Sequence, residues 1–250
     1  MSNYKRTALV TGAGGGIGVE LVNAFTESGY TVIGTDRVVM PKSLKCATYL
    51  KFDLESLVND EVTANRFFSH VRDELLEDRL DVLVNNAAIQ ILGGVNSLSR
   101  MDWRSSLDIN VIAPFLLVQG LVRELERGCG GIINISSIHA RHTKENFIAY
   151  ATTKAAISGL TRAMAVDLGA RIRVNAIEPA AIETDMLRAG FENDPDRFLR
   201  LESCHPLRRI GKPCEVARLA VSIAEGGFNF MHGACISLDG GIGNKLNDPI

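Results

Sequence analysis

The sequence is poor in several features that mark specialised classes of protein. Aromatic residues make up only 6% of its 250 residues, and the net charge is −2, with acidic and basic residues interspersed. This near-neutral balance argues against a nucleic-acid or membrane-surface partner, which would need a strongly basic face. No run approaches the ~20 consecutive apolar residues that a membrane span requires. We therefore expect a globular protein without a nucleic-acid or membrane partner.

Cysteine is also sparse. The five cysteines are odd in number and scattered, without CxxC spacing, which argues against a disulfide framework and against a zinc site. The N-terminal residues lead into a strand-like segment without the apolar stretch of a signal peptide. These features predict reduced thiols, no bound metal and a cytoplasmic location.

The chain does contain a repeated alternation of strand and helix patterns. Short, nearly continuous apolar runs, typical of strands covered on both faces, alternate with longer helical patterns. This alternation implies right-handed crossovers and an α/β fold with a doubly wound parallel sheet and helices on both faces. The seven predicted strands are Thr7–Val10, Thr31–Gly34, Thr48–Phe52, Val82–Val84, Gly131–Ile135, Arg173–Ala176 and Cys235–Leu238, and the predicted helices lie near Gly16–Ser28, Asp60–Leu76, Trp103–Glu126, Phe147–Leu168 and Glu215–Glu225.

No linker, repeat or low-complexity segment divides the chain, so residues 1–250 are predicted to form a single domain. One long segment, about 179–213, has no strand pattern and carries proline, charge and short helical pieces. Segments of this length inside a compact domain are often functional flaps. We therefore predict a substrate lid at about 179–213.

A glycine-rich segment joins the first predicted strand to the first helix. Gly12, Gly16 and Gly18 permit a tight turn and close approach of the backbone to a phosphate at the helix N-terminus. The spacing is T-G-x-x-x-G-x-G, so a flexible loop is the alternative. Asp36 ends the second strand roughly 20 residues on, where a carboxylate accepts hydrogen bonds from ribose hydroxyls. It would repel a 2′-phosphate, which favours NAD over NADP, although Arg37 could pair with that phosphate.

A second constellation consists of Tyr150 and Lys154, which share one face of a predicted helix. Tyrosine titrates near pH ~10, and a nearby cation lowers that pKa because it stabilises the phenolate. Ser137, at the end of the fifth strand, can hydrogen-bond a substrate oxygen as charge develops on it. By itself Y-x-x-x-K is a weak signal, since a surface Tyr–Lys pair on an amphipathic helix has the same spacing.

Together these motifs resemble those of the short-chain dehydrogenase/reductase family, across essentially the whole chain. The resemblance implies a Rossmann-type, dinucleotide-binding catalytic domain and an NAD(P)-dependent enzyme that acts on CH–OH groups. It rests on Thr11-Gly12…Gly16-Ile17-Gly18, Asp53-Leu54, Asn85-Asn86-Ala87-Ala88, Asp108-Ile109-Asn110, Ser136-Ser137, Tyr150…Lys154, Arg173-Val174-Asn175, Pro179…Thr184 and Leu238-Asp239-Gly240-Gly241.

The resemblance implies a catalytic set. In it Tyr150 is the general acid/base, Lys154 its pKa-lowering and ribose-binding partner, and Ser137 the residue that orients the substrate. Asn110 joins the proton relay through a water. Ser136 is the rival of Ser137, but Ser137 has the family's spacing to the tyrosine, and neighbouring strand positions face opposite sides. The implied cofactor contacts are Gly12, Gly16, Ile17, Gly18, Asp36, Asp53, Leu54, Asn86, Ala87, Tyr150, Lys154, Pro179, Ile182 and Thr184.

Three of these residues also have ordinary structural interpretations. Asp53, expected at the adenine, could be a helix cap. Asn86, expected to line the cofactor channel, could be a turn residue, and Asn110 could be a polar residue that distorts a helix. Ala88 and Ala180 stand where the family commonly has glycine, and we expect them to be tolerated unless the backbone there needs positive φ.

The substrate pocket is predicted to include Gln90 and His139. A similar Gln and His pair holds the substrate carboxylate in the family's 3-hydroxybutyrate dehydrogenases, and a His at this offset occurs in its glucose dehydrogenases. Phe147 replaces a lysine of the hydroxybutyrate enzymes, and Arg141, His142 and Lys144 could supply the cationic charge in its place. The alternative is that these three are solvated loop residues. The predicted substrate-binding residues are Gln90, Ser137, His139, Phe147 and Tyr150, with an apolar wall from Phe147, Met186, Leu187 and Phe191.

These interpretations predict an NAD-dependent oxidoreductase that interconverts a small polar secondary alcohol, either a hydroxy acid or a sugar or polyol, and its ketone. One alternative is an NADP-dependent 3-oxoacyl-carrier-protein reductase, against which Asp36 argues. The other is a catalytically idle dinucleotide-binding sensor, a kind of protein that typically loses the tyrosine or the lysine. A homo-oligomer, tetramer or dimer, is expected from the family resemblance alone.

Overall fold

The structure, a computed structural model, describes residues 5–42, 44–189, 191 and 194–246, without the side chains of Met186, Ala189 and Pro195. Its strands are β1 Arg6–Thr11, β2 Tyr30–Asp36, β3 Thr48–Lys51, β4 Val82–Asn85, β5 Gly131–Ile135, β6 Arg173–Pro179 and β7 Cys235–Leu238. They form one parallel sheet in the order β3-β2-β1-β4-β5-β6-β7. The predicted strands and the parallel α/β fold are therefore confirmed.

Helices connect the strands and cover the sheet. They are α1 Gly16–Glu27, α2 Leu54–Asn59, α3 Glu61–Asp73, α4 Arg100–Leu107, α5 Ala113–Arg127, α6 Ile148–Leu168, α7 Asp185–Ala189, α8 Pro195–Cys204 and α9 Pro213–Ala224. All five predicted helical regions are helical. The short helix α2 was not predicted, because its six residues are too few for a periodic pattern.

The predicted helix Trp103–Glu126 differs from the structure in two ways. It begins earlier, because Ser99 and Asp102 form a capping box in front of α4. It is also interrupted by a π-helical turn, Asp108–Ile112, which joins α4 to α5. Single π turns inside longer helices frequently occur at functional sites.

The run formed by α4, the π turn and α5, Arg100–Arg127, is long and apolar enough to cross a membrane by length and composition. The expectation that no segment approaches a membrane span is therefore corrected for this run. The structure explains the apolar residues differently: Leu117, Leu121 and Leu125 are fully buried against the sheet. The run has the burial of a core helix.

The core lies in two layers, one on each face of the sheet, because successive strand residues point to opposite sides. On one face, Leu9 and Ile132 pack with residues of α3, α5 and α6. On the other face, Val10 and Ile133 pack with residues of α1 and α9. The central strands are thus covered on both sides, and only their ends reach solvent.

The strand order reverses between β1 and β4, and ligands bind outside the carboxyl ends of the strands at such a reversal. Hydrogen bonds tie the two strand ends together here. Asn86 Nδ2 donates to the carbonyl oxygens of Thr11 at 3.0 Å and Gly12 at 3.1 Å. The Thr11 hydroxyl accepts from the amides of Asn86 and Ala87, both at 3.0 Å. The sheet therefore presents a braced crevice at this point.

The predicted lid segment, 179–213, contains the two short helices α7 and α8. Its base is closed by backbone hydrogen bonds: Gly211 N donates to Ala181 O at 2.9 Å, and Glu183 N donates to Gly211 O at 2.8 Å. Residues 190, 192 and 193 of the segment lie outside the described residues, and so does the side chain of Met186 expected in the apolar wall.

Candidate active site

The glycine-rich loop has a shape that only glycine permits at two positions. A Cβ on Gly18 would lie 1.9 Å from the carbonyl oxygen of Gly12. Gly12 has a φ of +64°, and a Cβ there would lie 2.8 Å from the Cα of Ala87. The loop therefore folds tightly onto the first turn of α1 and against the end of β4.

The N-terminus of α1 is suited to an anion. Its N-cap is Gly15, no side chain caps the helix, and no acidic residue lies in its first turn. The first backbone amides of a helix lack partners within that helix, and its dipole favours negative charge there. Gly15 and Gly16 are exposed, so these amides are accessible. Thr184 borders the loop, since a Cβ on Gly16 would lie 3.0 Å from its methyl carbon.

Asp36 lies beside this loop at the end of β2. Its Oδ2 accepts a hydrogen bond from Gly14 N at 3.0 Å, and its Oδ1 accepts one from Val38 N at 3.3 Å. Burial, followed by the Asp36 charge, raises the pKa of the neighbouring Tyr49 to about 12. The carboxylate is thus fixed at the edge of the crevice, and the adjacent Arg37 is exposed.

Asp53 caps a helix, which was its structural interpretation, and its expected contact with the adenine stays a prediction. Its Oδ1 accepts a hydrogen bond from Glu55 N at 3.0 Å, which caps α2. Leu54, the first residue of α2, is buried. Asp53 therefore orients α2 at the end of β3, beside the strand that carries Asp36.

Two adjacent serines end β5 and point in different directions. The Ser137 hydroxyl hydrogen-bonds Tyr150 and accepts from His139 N at 3.1 Å. The Ser136 hydroxyl instead donates to the carbonyl oxygen of Lys154 at 3.0 Å and pairs with the Ser158 hydroxyl at 2.8 Å. Ser137 is therefore the serine that the structure brings to the tyrosine.

Tyr150 and Lys154 both lie on α6, one turn apart. Lys154 Nζ is 5.6 Å from the Tyr150 ring centroid and donates to the carbonyl oxygen of Ile135 at 2.8 Å. Burial lowers the pKa of Lys154 to about 8. Burial raises the pKa of Tyr150, and its hydrogen bond with Ser137 acts in the opposite direction. Burial is thus the larger influence on the Tyr150 pKa in this structure, and the lowering of that pKa by Lys154 stays a prediction.

Asn110 is buried in the π-helical turn. Its Oδ1 accepts from Ile89 N at 2.9 Å, and its Nδ2 donates to Ile89 O at 2.9 Å and to Thr153 Oγ1 at 3.0 Å. The Asn110 side chain thus joins the loop after β4 to α6, where its partner Thr153 directly precedes Lys154. These three bonds use both amide hydrogens of the side chain and one lone pair of its oxygen, and the relay role of Asn110 stays a prediction.

His139 and Phe147 adjoin the tyrosine on the substrate side. Their rings stack at 4.5 Å, and both meet the Tyr150 ring edge-on, at 5.7 Å and 6.1 Å. His139 Nδ1 is buried without a hydrogen-bond partner, and burial, followed by the charge of Lys144, lowers the His139 pKa to about 4. The site therefore holds a neutral imidazole with an unsatisfied nitrogen beside the catalytic pair.

The remaining predicted residues include Gln90 and Phe191 of the substrate pocket and Pro179 and Ile182 of the cofactor site. Gln90 is exposed in the loop after β4. Pro179 is buried at the end of β6, and Ile182 is buried where it bridges to Gly211. Phe191, expected in the wall with Phe147, packs edge-on against Phe198 of α8 at 5.7 Å.

Several residues that hold the site together were not predicted. Thr11 braces the crevice, Thr153 supports Asn110, and Ser158 supports Ser136. Glu178 could have been identified from the sequence, because a carboxylate inside an otherwise apolar strand requires a partner. Ala180 and Ala88 do not adopt positive φ, so both are tolerated in place of glycine, as expected.

Comparisons with known proteins agree with this geometry. A family model described as Enoyl-(Acyl carrier protein) reductase matches residues 12–243. The 7alpha-hydroxysteroid dehydrogenase of Escherichia coli (strain K12) is 31% identical over 254 residues, covering 97% of this chain and 96% of that protein.

Solved structures give the same picture. The aldohexose dehydrogenase of Thermoplasma acidophilum superposes with a TM-score of 0.89 at 29% identity, covering 98% of this chain and 97% of that one. The gluconate 5-dehydrogenase of Burkholderia cenocepacia J2315, solved with NADP and tartrate, superposes with a TM-score of 0.85 at 27% identity, covering 96% of each chain.

The parallel sheet, the glycine loop at its reversal and the Ser–Tyr–Lys cluster define a nicotinamide-dependent oxidoreductase. The chain belongs to the short-chain dehydrogenase/reductase family, whose named relatives act on alcohol and ketone groups.

Proposed function

We propose that this protein is an NAD-dependent dehydrogenase that interconverts a small polar secondary alcohol, a hydroxy acid or a sugar or polyol, and its ketone. The observation that carries the proposal is the hydrogen bond between Ser137 and Tyr150, with Lys154 buried one helical turn away. Asp36, fixed beside the glycine loop, supports the choice of NAD.

The residues present fit a dinucleotide. The uncapped N-terminus of α1 and the glycine loop would hold the pyrophosphate, Asp36 would hold the adenosine ribose, and Lys154 the nicotinamide ribose. Thr184 adjoins the loop from the lid segment and would contact the nicotinamide end. Bound there, the nicotinamide supplies the hydride acceptor for oxidation and the hydride donor for reduction.

The protein's own contribution is proton transfer at Tyr150. Because burial raises its pKa, Tyr150 is protonated at neutral pH, ready to donate a proton to a substrate carbonyl oxygen. In the reverse direction Tyr150 takes the proton from the substrate hydroxyl. Ser137 holds the same oxygen, and the ammonium of Lys154 stabilises the phenolate that forms. The hydrogen bond between Ser137 and Tyr150, with Lys154 one helical turn away, supports these roles.

The test is an absorbance assay of cofactor reduction and oxidation. The panel contains 3-hydroxy acids, sugar acids, neutral sugars, polyols and a 3-oxoacyl thioester, each with NAD or NADP. Turnover with NAD of an acid, sugar or polyol supports the proposal. Turnover of the thioester alone, with NADP, would instead identify a carrier-protein reductase, and cofactor binding without any turnover would indicate an idle sensor.

NAD is proposed although the Burkholderia relative was solved with NADP. The reason is electrostatic: the Asp36 carboxylate is held by two backbone amides at the edge of the crevice, where a 2′-phosphate would meet its charge. Arg37 is the residue through which NADP could still be accepted.

Replacing Asp36 with Ala should reverse the cofactor preference. Loss of charge-assisted hydrogen bonds to the ribose and relief of phosphate repulsion should together change the NAD/NADP ratio of kcat/KM by about 100-fold. Asp36→Asn is the control that keeps the shape and removes the charge, and it should give an intermediate ratio. Arg37→Ala should lower only the residual use of NADP. A wild-type enzyme that strongly prefers NADP would contradict the assignment.

The polar substrate is proposed from His139. Its Nδ1 is buried and unpaired beside Tyr150, and it would be satisfied by a substrate hydroxyl or, in the tautomer with a hydrogen on Nδ1, by a carboxylate that accepts from it. Lys144 lies 4.5 Å above the Phe147 ring and feels the charge of Arg197 on α8. The ammonium of Lys144 beside this ring favours an acid or other anionic substrate among the polar candidates.

Replacing His139 with Phe should raise KM for the substrate by roughly 5- to 30-fold, the loss of one buried hydrogen bond. Phe keeps the stack on Phe147, so kcat should change less than KM. Because the His139 pKa is about 4, wild-type KM should show no histidine titration between neutral and mildly acidic pH. Equal KM values for His139→Phe and wild type across all substrates would remove His139 from the pocket.

We further propose that residues 1–250 act as one catalytic domain, that the 179–213 segment is the substrate lid, and that the enzyme is a cytoplasmic homo-oligomer. Support for oligomerisation is limited to exposed apolar side chains on the helices, such as Phe115 on α5 and Val166 on α6, of which Val166 is 86% exposed. Most of the other apolar residues in α5 belong to the core.

A further inference from the structure

We propose that Arg141 and Glu178 are a positioning pair that holds the Ser137 turn in its productive place. The inference rests on the proposed function, because it concerns the geometry of the same reaction. Neither residue touches the reacting atoms, and both act through the turn that presents Ser137 to Tyr150.

Glu178 is a buried carboxylate in β6, directly before Pro179. Its side chain is only 2% exposed, and both of its oxygens are engaged. Oε2 lies 2.9 Å from Arg141 Nε, and Oε1 accepts from the Ser158 hydroxyl at 2.8 Å. Burying a carboxylate is costly unless it is paired and hydrogen-bonded. Even a paired buried charge adds little net stability, which favours a role other than stabilisation.

Arg141 is the residue that closes the Ser137 turn. Ala140 N donates to Ser137 O, and Arg141 N donates to Ile138 O, both at 3.0 Å. The Arg141 side chain then reaches back to β6 and also donates from Nη2 to Cys235 O of β7 at 3.3 Å. The far end of the turn is thus fastened to two strands of the sheet.

The other oxygen of Glu178 leads to the catalytic helix. The Ser158 hydroxyl donates to Glu178 and accepts from Ser136, and the single hydrogen of the Ser136 hydroxyl is shared between Ser158 and the backbone oxygen of Lys154, 3.0 Å away. One carboxylate therefore connects the turn of Ser137, the helix of Tyr150 and Lys154, and the strand that leads to Pro179. Small errors of placement among these elements are expensive, because about 1 Å of misplacement can cost 100-fold in rate.

The test uses the double variant Arg141→Gln/Glu178→Gln. Single removal of Arg141 would leave a buried charge without a cation, whereas the double variant removes both charges and keeps similar shapes. We expect kcat to fall by about 10- to 100-fold, with cofactor affinity unchanged. Glu178→Gln alone keeps one acceptor oxygen, which can serve Ser158 or Arg141 but not both, and should show a smaller loss of kcat than the double variant, with an intact fold.

The chain offers a matched control in Arg72 and Glu124, which join α3 to α5. Arg72 Nε lies 2.7 Å from Glu124 Oε1, the glutamate side chain is 8% exposed, and Arg72 Nη2 donates to Gly120 O. The variant Arg72→Gln/Glu124→Gln should change stability to a similar extent and leave kcat unchanged. Equal losses of kcat in both double variants would show a merely structural role and overturn the proposal.

Arg141→Lys provides the rescue. Lysine keeps the charge next to Glu178, but its single nitrogen cannot reproduce the two separate contacts that Nε and Nη2 of arginine make with Glu178 and Cys235 O, so kcat should recover in part. A crystal structure of Arg141→Gln/Glu178→Gln gives a readout that does not depend on activity: the hydrogen bond between Ser137 and Tyr150 should be broken. If that bond is intact, or if kcat equals that of wild type, the positioning pair is wrong. If wild type turns over no substrate, the proposed function fails, and the crystal structure still decides the positioning pair.

Discussion

Replacing Tyr150 with Phe should lower kcat by about 100- to 10,000-fold, the range associated with a general acid or base. The change removes one oxygen atom and keeps the ring that meets His139 and Phe147 edge-on. The remaining groups, Ser137 and Lys154, can polarise the substrate but cannot exchange its proton in the same geometry. Cofactor affinity, measured by fluorescence titration of the reduced cofactor, should be unchanged.

The control for this prediction is Tyr30→Phe. Tyr30 is also buried and also has a raised pKa, caused first by desolvation, but it packs on Phe25 under Arg6, with no contact to the catalytic residues. Its variant should keep full activity. Near-normal turnover by Tyr150→Phe, with the fold verified by circular dichroism, would exclude Tyr150 as the acid/base.

Replacing Lys154 with Met should have a comparable effect on turnover, of roughly 100-fold or more, because the phenolate loses its cation in a buried site. Met has a similar length and no charge, so the apolar part of the packing is kept. The variant loses the hydrogen bond from Nζ to Ile135 O. KM for the cofactor should rise as well, if Lys154 holds the ribose.

Lys154→Met also carries a prediction about stability and pH. Burial lowers the lysine pKa to about 8 in the folded protein, from 10.5 in an unstructured chain. Between these two values the unfolded wild-type chain binds a proton that the folded protein does not, so raising the pH favours the folded state. Met binds no proton, so this contribution is absent from the variant.

The free energy of unfolding of wild type should therefore rise relative to Lys154→Met as pH increases from about 8 towards 10.5, by an amount on the order of 3 kcal/mol. Urea denaturation of both proteins across this range measures it, and the subtraction cancels the titration of all other groups. Below pH 8 the difference in the free energy of unfolding between wild type and Lys154→Met should be constant. Two stability curves that run parallel up to pH 10 would mean that Lys154 keeps an ordinary pKa when folded.

A lysine held at this energetic cost fits a residue retained for chemistry. A neutral side chain would be accommodated in the same volume without the desolvation penalty. Stability given up at a catalytic position is a common pattern in enzymes. The same reasoning applies to the unpaired His139 nitrogen.

The sequence by itself determined the sheet and the crevice. Alternating apolar runs and helical patterns depend on local period, which is why β5, Gly131–Ile135, and β7, Cys235–Leu238, are found at their predicted limits. Gly12 and Gly18 are required by short-range sterics, since a Cβ at Gly18 would overlap a carbonyl six residues away in the chain. Features that depend on residues close together along the chain can be predicted from the sequence.

Tertiary structure decided the rest of the site. Only the packing of α6 against β5 directs Ser136 to Ser158 and Ser137 to Tyr150, and only burial determines that the tyrosine pKa rises. The partner of Glu178 lies across the fold on the turn after β5, which no pattern along the chain indicates. Desolvation and pairing depend on residues distant in sequence, so the residues of the proposed site could be named from motifs along the chain, whereas their protonation and support could not.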